Sequence, residues 1–339
     1  MKTLKLALLG YGNAGRAFGA LLTQKHELIE EKYGTDVKIS AIATKTKGTL
    51  IGPDGIDLAK AEEGLRSHGK FQGGLDMDSI QVAGEADYDA LLELTPLNIF
   101  TGRPAIDHIE AAFRRGKHVI SANKGPIARA WHRMREMADE NGCHFFFETT
   151  VMDGTPVFNL VFDTLKMCKV IEITGILNST TNFILEELAD GVPYDEAIRE
   201  GRERGFVEAD PSLDVEGWDA AAKITALMNV LMDADLKPEY IERTGIENIS
   251  RRDIEEAEKN GKLIKLLCSG KIIDGKATGT VKPAEIDRGD MLASVTGTTS
   301  AVSIKTDLMG TITIVEHEPE IEQTAYGIFS DLIRLIERL

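Results

Sequence analysis

The first 150 residues alternate between short apolar runs and longer segments whose apolar residues recur every three or four positions. Short apolar runs bounded by polar turns are typical of buried strands, and the longer period indicates helices. Strands that alternate with helices predict an α/β domain with a parallel, doubly wound sheet. The strands are expected at 4–9, 37–44, 90–94, 118–121 and 144–147, and the helices at 17–33, 105–115 and 127–140.

The pattern changes twice further along the chain. Residues 45–84 are polar and glycine-rich, which predicts loops around one short helix at 58–67. From Glu148 onward long helices dominate, and strand-like runs return after about Gly270. The last helix is expected at 323–338, and its helically spaced apolar residues predict that it packs back on the first domain.

A glycine-rich turn joins the first strand to the first helix. The sequence there reads Gly10-Tyr-Gly12-Asn13-Ala14-Gly15. In this position the first glycine permits a tight turn, the second lets a pyrophosphate approach the backbone, and the third allows close packing of helix on strand. The segment therefore predicts a Rossmann-type dinucleotide site, with a merely flexible loop as the alternative.

Ligands of doubly wound sheets bind at the carboxyl ends of the strands. Here those ends are Thr44, Thr95-Pro96 and Asn123-Lys124, which makes them candidate cofactor contacts. Thr95-Pro96 also suits a simple proline turn that closes a strand. Lys124 is the sharper candidate, because a lysine at this place faces the crevice where nicotinamide and substrate meet.

The end of the second strand bears on the choice of cofactor. An acidic residue normally binds the adenine ribose hydroxyls of NAD there. This chain has Thr44-Lys45-Thr46-Lys47 instead, and hydroxyls and cations suit a 2′-phosphate. NADP(H) is therefore the expected cofactor and NAD(H) the second choice, unless these lysines simply lie in a solvated loop.

Composition narrows the class of protein. The chain has 339 residues, 42% of them hydrophobic, which suffices for two domains with cores of their own. A net charge of -16 argues against nucleic acid or an anionic membrane as partner. We expect a cytoplasmic protein, since no segment resembles a signal peptide or a membrane span. Isolated cysteines and the histidine spacing predict neither a thiol nucleophile nor a catalytic zinc.

The densest group of charges lies between Glu208 and Lys223. Asp214 is a candidate helix N-cap, and Asp219 and Lys223 stand four residues apart, so their side chains meet on one helix face. Glu208 and Asp210 would reach the same place from the preceding loop. A solvated ion pair on a surface helix is the alternative. The helix continues with small and apolar residues on nearly every side, which favours a buried site.

These segments together resemble homoserine dehydrogenases from end to end. The resemblance implies NAD(P)-dependent interconversion of L-aspartate 4-semialdehyde and L-homoserine, on the route to threonine and methionine. It also implies that Lys223 is the catalytic lysine, that Glu208 and Asp219 contact substrate, and that Lys124 lies beside nicotinamide and substrate. The similar runs are 10–15, 122–127, 148–156, 175–183 and 205–223, which include Thr180 and Asp214 as further substrate candidates.

The resemblance extends to a sodium site and to a nicotinamide contact. Glu148, Val151, Asp153 and Thr155 match the positions that hold the ion, although the family often has glycine or alanine where Asp153 stands. An added carboxylate there could strengthen the site or point to solvent. Gly297 is the residue expected to close on the nicotinamide.

The expected organisation follows from these assignments. Residues 1–147 and 298–339 are predicted to form the dinucleotide-binding domain, and residues 148–297 an α+β domain for substrate binding, catalysis and dimerisation. A homodimer is expected, in a short form without a regulatory domain and so without inhibition by threonine. The alternatives are another Rossmann-type reductase of an amino-acid pathway, which would need a different substrate motif, and a non-catalytic NADP-binding sensor.

Overall fold

The computed structural model describes residues 1–339, which divide into two compact units. Unit 1 contains residues 1–156 and 320–339, and unit 2 contains residues 157–319. The expected boundaries at 147 and 298 differ from these. Residues 298–319 lie in unit 2 because the two strands between 300 and 316 pair with each other and with the sheet of that unit.

Unit 1 is built on a six-stranded sheet. Its strands are β1 Lys2–Leu9, β2 Thr35–Thr44, β3 Gly48–Ile51, β4 Ala90–Glu93, β5 His118–Ser121 and β6 Phe145–Phe146. The strand order is β3-β2-β1-β4-β5-β6. β1 pairs in parallel with β2 and β4, and only β3 runs antiparallel to its neighbour. This confirms the predicted doubly wound sheet.

Six helices belong to unit 1. They are α1 Asn13–Tyr33, α2 Leu58–His68, α3 Ser79–Glu85, α4 Ala105–Arg114, α5 Lys124–Glu140 and α12 Ile321–Arg338. α1 begins four residues earlier than predicted, because Gly12 is its N-cap and the helix starts inside the glycine-rich turn. The hairpin strand β3 and the helix α3 were not predicted within 45–84, although Asp78 and Gln81 form a capping box at the start of α3.

Two apolar layers cover the sheet of unit 1. One contains Phe18 of α1 together with Ile328 and Leu332 of α12. The other contains Ile109 of α4 and Met134 of α5. The final helix thus returns to the first domain, as its apolar spacing predicts.

Unit 2 contains a second six-stranded sheet. Its strands are β7 Val170–Ile176, β8 Glu242–Arg243, β9 Lys262–Ile273, β10 Lys276–Asp287, β11 Ser300–Thr306 and β12 Gly310–Glu316. They are ordered β12-β11-β7-β9-β10-β8, and all pairs except β8 with β10 are antiparallel. The helices of this unit are α6 Phe158–Thr164, α7 Ser179–Ala189, α8 Tyr194–Glu203, α9 Ser212–Val215, α10 Trp218–Leu231 and α11 Arg251–Lys259.

α10 is the buried helix of unit 2. Its residues Ala220, Ala221 and Ala222 are fully buried. The helix approaches β9 closely, since a Cβ added at Gly270 would lie 2.6 Å from Met228 Sδ. A side chain at position 270 would require the Met228 side chain to shift. No helix of the chain combines the length and the apolar character that a membrane span requires.

Candidate active site and cofactor loop

The lysine–carboxylate pair of the acidic segment lies on the first turns of α10. Asp219 Oδ2 and Lys223 Nζ are 3.4 Å apart, and the two side chains are only 16% and 18% exposed. Lys223 Nζ also donates a hydrogen bond to the carbonyl of Leu177, at 2.7 Å. Burial of this degree does not fit a solvated surface pair, so the alternative of a plain surface helix is wrong.

Asp214 is not the N-cap of this helix, contrary to the prediction. It lies within the short helix α9, and α10 begins after Gly217, whose φ of 79° places it in the left-handed region. The chain reverses at Gly217 and then starts a new helix, so the cap residue is a glycine rather than an acid. Asp214 is consequently available for other contacts.

Asn178 connects the two carboxylates of the site. It caps α7 by accepting a hydrogen bond from the backbone N–H of Thr181, at 2.9 Å. Its Nδ2 donates to Asp214 Oδ1 at 2.7 Å and to Asp219 Oδ2 at 3.0 Å. This role was not predicted, although an asparagine just before Ser-Thr-Thr is a recognisable capping signal.

The environment of Asp214 disfavours its charged form. Burial raises the pKa of this carboxyl, and the nearby charge of Asp219 raises it further. Hydrogen bonds from Asn178 and from the predicted substrate contact Thr180, together with the charge of Lys223, oppose the shift without reversing it. Two carboxylates therefore share one lysine in a largely dry setting.

The loop before this site places Glu208 differently from the other acids. The Arg202 guanidinium donates to the backbone carbonyls of Glu208 and Ala209, at 3.2 and 2.7 Å. The side chain of Glu208 is exposed, and Asp210 accepts a hydrogen bond from the backbone of Ser212. The backbone of the loop is held, while the Glu208 carboxylate remains open to a ligand.

In unit 1 the tight turn expected at Gly10 is present. Gly10 has a φ of 100° and donates to the carbonyl of Ala43, at 2.9 Å. Lys47 Nζ donates to the carbonyl of Tyr11 at 2.8 Å, and Thr44 Oγ1 accepts the backbone N–H of Lys47 at 2.9 Å. The end of β2 is therefore tied to the turn, and Lys45 beside it is exposed.

The remaining strand ends of unit 1 meet at Thr95. Asn123 caps α5, which begins at Lys124, and its Nδ2 donates to the carbonyl of Thr95 at 3.0 Å. Glu93 accepts the backbone N–H of Thr95 at 2.9 Å and contacts His108 Nδ1 at 2.7 Å. The side chains of Glu93 and His108 are fully buried. This pair was not predicted, although an acid at the end of an apolar strand is its signal in the sequence.

The candidate cation site lies at the end of β6, against α12. Glu148 and Val151 are buried, and Asp331 of α12 accepts the backbone N–H of Glu148 at 2.9 Å. One oxygen of the Asp153 carboxylate is already engaged, because Oδ1 accepts a hydrogen bond from the hydroxyl of Thr324 at 2.7 Å. The side chain therefore does not point freely to solvent, and not all of its carboxylate is available to a cation. α12 approaches so closely that a Cβ added at Gly327 would lie 2.7 Å from the Cα of Gly154.

The chemistry of these residues suits a hard monovalent cation. Carboxylates and backbone carbonyls are oxygen ligands, which such cations prefer. Buried acids are stable only when they are paired, hydrogen-bonded or coordinated. The segment from Glu148 to Thr155 therefore fits the group that the resemblance implies, and Asp331 is an additional buried carboxylate beside it.

The cysteines do not offer a nucleophile. Cys143 and Cys268 are buried, and Cys168 is half-buried. Burial raises the pKa of Cys268 to about 12, which leaves the thiol protonated at neutral pH.

A glycine-rich turn at the start of a doubly wound sheet, together with a buried lysine–carboxylate site, defines a nicotinamide-dependent dehydrogenase. Comparison with known proteins identifies the family. Residues 10–148 match the family described as homoserine dehydrogenase, NAD binding domain, and residues 156–333 match the one described as homoserine dehydrogenase. The chain therefore belongs to the homoserine dehydrogenase family.

Individual relatives agree over the full length. The homoserine dehydrogenase of Methanocaldococcus jannaschii is 35% identical over 98% of both chains. The NAD(+)-dependent homoserine dehydrogenase of Pseudomonas canavaninivorans is 32% identical over 99% of this chain and 97% of that one. The crystal structure of a putative homoserine dehydrogenase from Archaeoglobus fulgidus superposes with a TM-score of 0.87 at 33% identity, covering 98% of this chain and 99% of that one.

The raised pKa of Asp214 predicts an effect on stability. A carboxyl whose pKa is higher in the folded state than in the unfolded state destabilises the folded state once it ionises. The free energy of unfolding therefore falls as the pH rises from the unfolded pKa of about 3.9 through the folded pKa. Asp214→Asn cannot ionise and can still accept the Asn178 hydrogen bond. We expect a higher Tm at pH 7 and a smaller loss of Tm between about pH 4 and pH 7, measured by calorimetry.

Asp210→Asn is the matched control, because hydrogen bonds from Ser212 lower the pKa of the exposed Asp210 carboxyl. That variant should not gain stability at pH 7. An unchanged or lower Tm for Asp214→Asn would show that the two carboxylates do not repel each other in the folded protein.

Proposed function

We propose that the chain interconverts L-homoserine and L-aspartate 4-semialdehyde by hydride transfer with a nicotinamide cofactor. The observation that carries the proposal is the buried pair of Asp219 and Lys223, which the Leu177 carbonyl and the Asn178 amide hold beside Asp214. A non-catalytic sensor would not require a lysine in such a setting. The full-length similarity to homoserine dehydrogenases supports the same substrate.

Oxidation of homoserine removes a proton from the hydroxyl oxygen and a hydride from the carbon that carries this oxygen. Lys223, in its neutral form, would accept the proton of the hydroxyl group, and a bound nicotinamide would supply the acceptor for the hydride. In the reverse direction the Lys223 ammonium returns a proton to the alkoxide that forms. Asp219 and the Leu177 carbonyl orient the Lys223 amine, so the proton moves at a defined position.

The carboxylates and the second lysine suit the rest of the substrate. Glu208 and Asp214 offer negative charge to the α-ammonium group. Asp219 would contact substrate and also orient Lys223. Lys124, at the first residue of α5, carries a positive charge suited to the substrate carboxylate or to the aldehyde oxygen. The family resemblance implies that Glu208 and Asp219 contact substrate and that Lys124 lies beside it, whereas the role of Asp214 is argued from the chemistry of its side chain.

Replacing Lys223 tests the proposed mechanism. Lys223→Ala removes the acid–base group, which typically costs a factor of about 10² to 10⁴ in rate. We expect kcat to fall by that amount, while the Kd of the cofactor, measured by fluorescence titration, stays close to that of the unaltered chain. The glycine-rich turn in unit 1 is unaffected by the change.

The matched control is Lys259→Ala, which removes an exposed lysine of α11. It should retain the unaltered kcat. If Lys223→Ala keeps more than about half of the activity, Lys223 is not the acid–base group.

We also propose that the cofactor is NADP(H) rather than NAD(H). Lys47 contacts the turn that would receive the pyrophosphate, and Lys45 is exposed beside it. The end of β2 carries no acid, although the relative from Pseudomonas canavaninivorans is described as NAD(+)-dependent. The family match shows a nicotinamide cofactor, and the choice between the two forms rests on these lysines.

The double change Lys45→Ala and Lys47→Ala tests this choice. If the lysines bind a 2′-phosphate, NADP binding should weaken at least tenfold more than NAD binding, which corresponds to about 1.4 kcal/mol. The difference should shrink in high salt, which screens exposed charges. The double change Lys25→Ala and Lys32→Ala, further along α1, removes equal charge and should affect both cofactors little. Equal losses for NADP and NAD in the first pair would contradict the proposal.

The third part of the proposal is a sodium ion at Glu148, Val151, Asp153 and Thr155. An ion there would fix the end of β6 against α12. We expect a higher Tm and higher activity in sodium buffer than in tetramethylammonium buffer, and Glu148→Gln should abolish both differences. Glu140→Gln, an exposed acid at the end of α5, serves as control. Identical behaviour in the two buffers would exclude a functional cation.

A homodimer built through the sheet of unit 2 completes the proposal. Ile171, Ile272 and Ile273 are 42%, 44% and 45% exposed on that unit. Exposed apolar side chains on neighbouring strands are typical of surfaces that a second copy covers.

A further inference from the structure

Lys265 is a buried lysine that the proposed chemistry does not use. It lies in β9 and is 4% exposed. Its Nζ donates to Asn182 Oδ1 at 2.9 Å and to the carbonyl of Val295 at 2.7 Å, both neutral acceptors. Burial lowers the pKa of Lys265, and the charge of Glu186 only partly opposes this. A buried lysine is costly, so its contacts need an explanation.

The contacts of Lys265 fix the orientation of an amide. A lysine ammonium donates hydrogen bonds and accepts none. The amide oxygen of Asn182 must therefore face Lys265, which leaves its Nδ2 to donate elsewhere. Nδ2 donates to the carbonyls of Val295 and Gly297, at 3.2 and 2.9 Å, and so shares the Val295 carbonyl with Lys265. Lys265 thus determines which groups Asn182 can hold.

Both peptide groups of Gly297 are held from α7. Asn182 donates to its carbonyl, and Glu186 Oε2 accepts its backbone N–H at 2.5 Å. Gly297 has a φ of 57°, in the left-handed region that glycine adopts most easily. The turn is therefore fixed by side chains one helical turn apart, not by pairing in the sheet.

The same face of α7 also holds the acidic site. Asn178, Asn182 and Glu186 are spaced by four residues, so they form one row along the helix. We call this row the α7 polar row. Its first member contacts Asp214 and Asp219, and the other two contact the Gly297 turn. One rigid helix therefore sets the distance between the acidic site and the turn.

We propose that Lys265, through Asn182 and together with Glu186, positions the Gly297 turn at the nicotinamide and so sets its distance from the substrate. This inference rests on the proposed function and on the family resemblance, which implies that Gly297 closes on the nicotinamide. Lys265, Asn182 and Glu186 are positioning residues, since they act on the cofactor through Gly297. Apolar side chains could fill the same space, so folding alone does not require this network.

The test compares Lys265→Met with Lys262→Met, a partly exposed lysine of the same strand that pairs with Glu285. Misplacement of reacting groups by about 1 Å costs roughly 10² in rate. We expect Lys265→Met to lower kcat at least tenfold and to raise the KM of the cofactor, with the KM of homoserine nearly unchanged. Lys262→Met should match the unaltered chain.

A second pair of variants covers the case in which Lys265→Met fails to fold. Glu186→Gln keeps an acceptor for the N–H of Gly297 and should retain most activity, whereas Glu186→Ala should reproduce the kinetic loss. A purely structural network would lower the Tm of the folded variants and leave kcat and cofactor KM unchanged. That result overturns the inference.

A binding measurement separates this inference from the proposed function. The ratio of the Kd of NADP to that of 2′-phospho-ADP-ribose, which lacks nicotinamide, reports the contacts made to the nicotinamide half. The ratio should rise toward one in Glu186→Ala and stay unaltered in Glu186→Gln. If the unaltered chain does not turn over homoserine, the proposed function fails, and this ratio still decides whether the turn is positioned for the nicotinamide. An equal ratio in all variants overturns the inference.

Discussion

The acidic site depends on the junction between β7 and α7. There the Leu177 carbonyl accepts a hydrogen bond from Lys223, and the Asn178 amide donates to both Asp214 and Asp219. Without these contacts the site would bury two like charges and a lysine with little compensation, which costs several kcal/mol per unpaired ion. The hydrogen bonds from a single strand-to-helix turn therefore offset part of the cost of burying these charges.

Apolar packing supplies the other half of the geometry. α10 carries Asp219 and Lys223, and its alanine-rich face lies buried against the sheet through the contact of Met228 with Gly270. A side chain at position 270 would meet the end of the Met228 side chain, which would have to shift. The packed residue Met228 and the polar group of Lys223 lie on the same helix, about 7.5 Å apart along its axis at roughly 1.5 Å per residue.

Patterns within short stretches of sequence predicted the sheet of unit 1 and part of the acidic site. The features that were not predicted depend on contacts between residues far apart in the sequence. Alternating apolar runs identified the sheet of unit 1, and the four-residue spacing of Asp219 and Lys223 identified their pair. The error at Asp214 arose because an aspartate before a helix looks like a cap, whereas the chain reverses at Gly217. Asn178 and Asp219 are 41 residues apart and Asp331 and Glu148 are 183 apart, so sequence spacing could not indicate either contact. The pairing of β11 with β7 was hidden for the same reason.

The electrostatic balance of the free site suggests why it is built this way. Asp214 and Asp219 face one lysine, and the pKa of Asp214 is raised because the site is buried and the charges do not balance. A substrate with an α-ammonium group would bring the missing positive charge, so binding would relieve a repulsion that the free protein carries. Strain of this kind at a functional site lowers the stability of the folded state and strengthens its selectivity for the ligand. An asparagine at position 214 would remove the repulsion and, with it, the reason for an ammonium group to bind there.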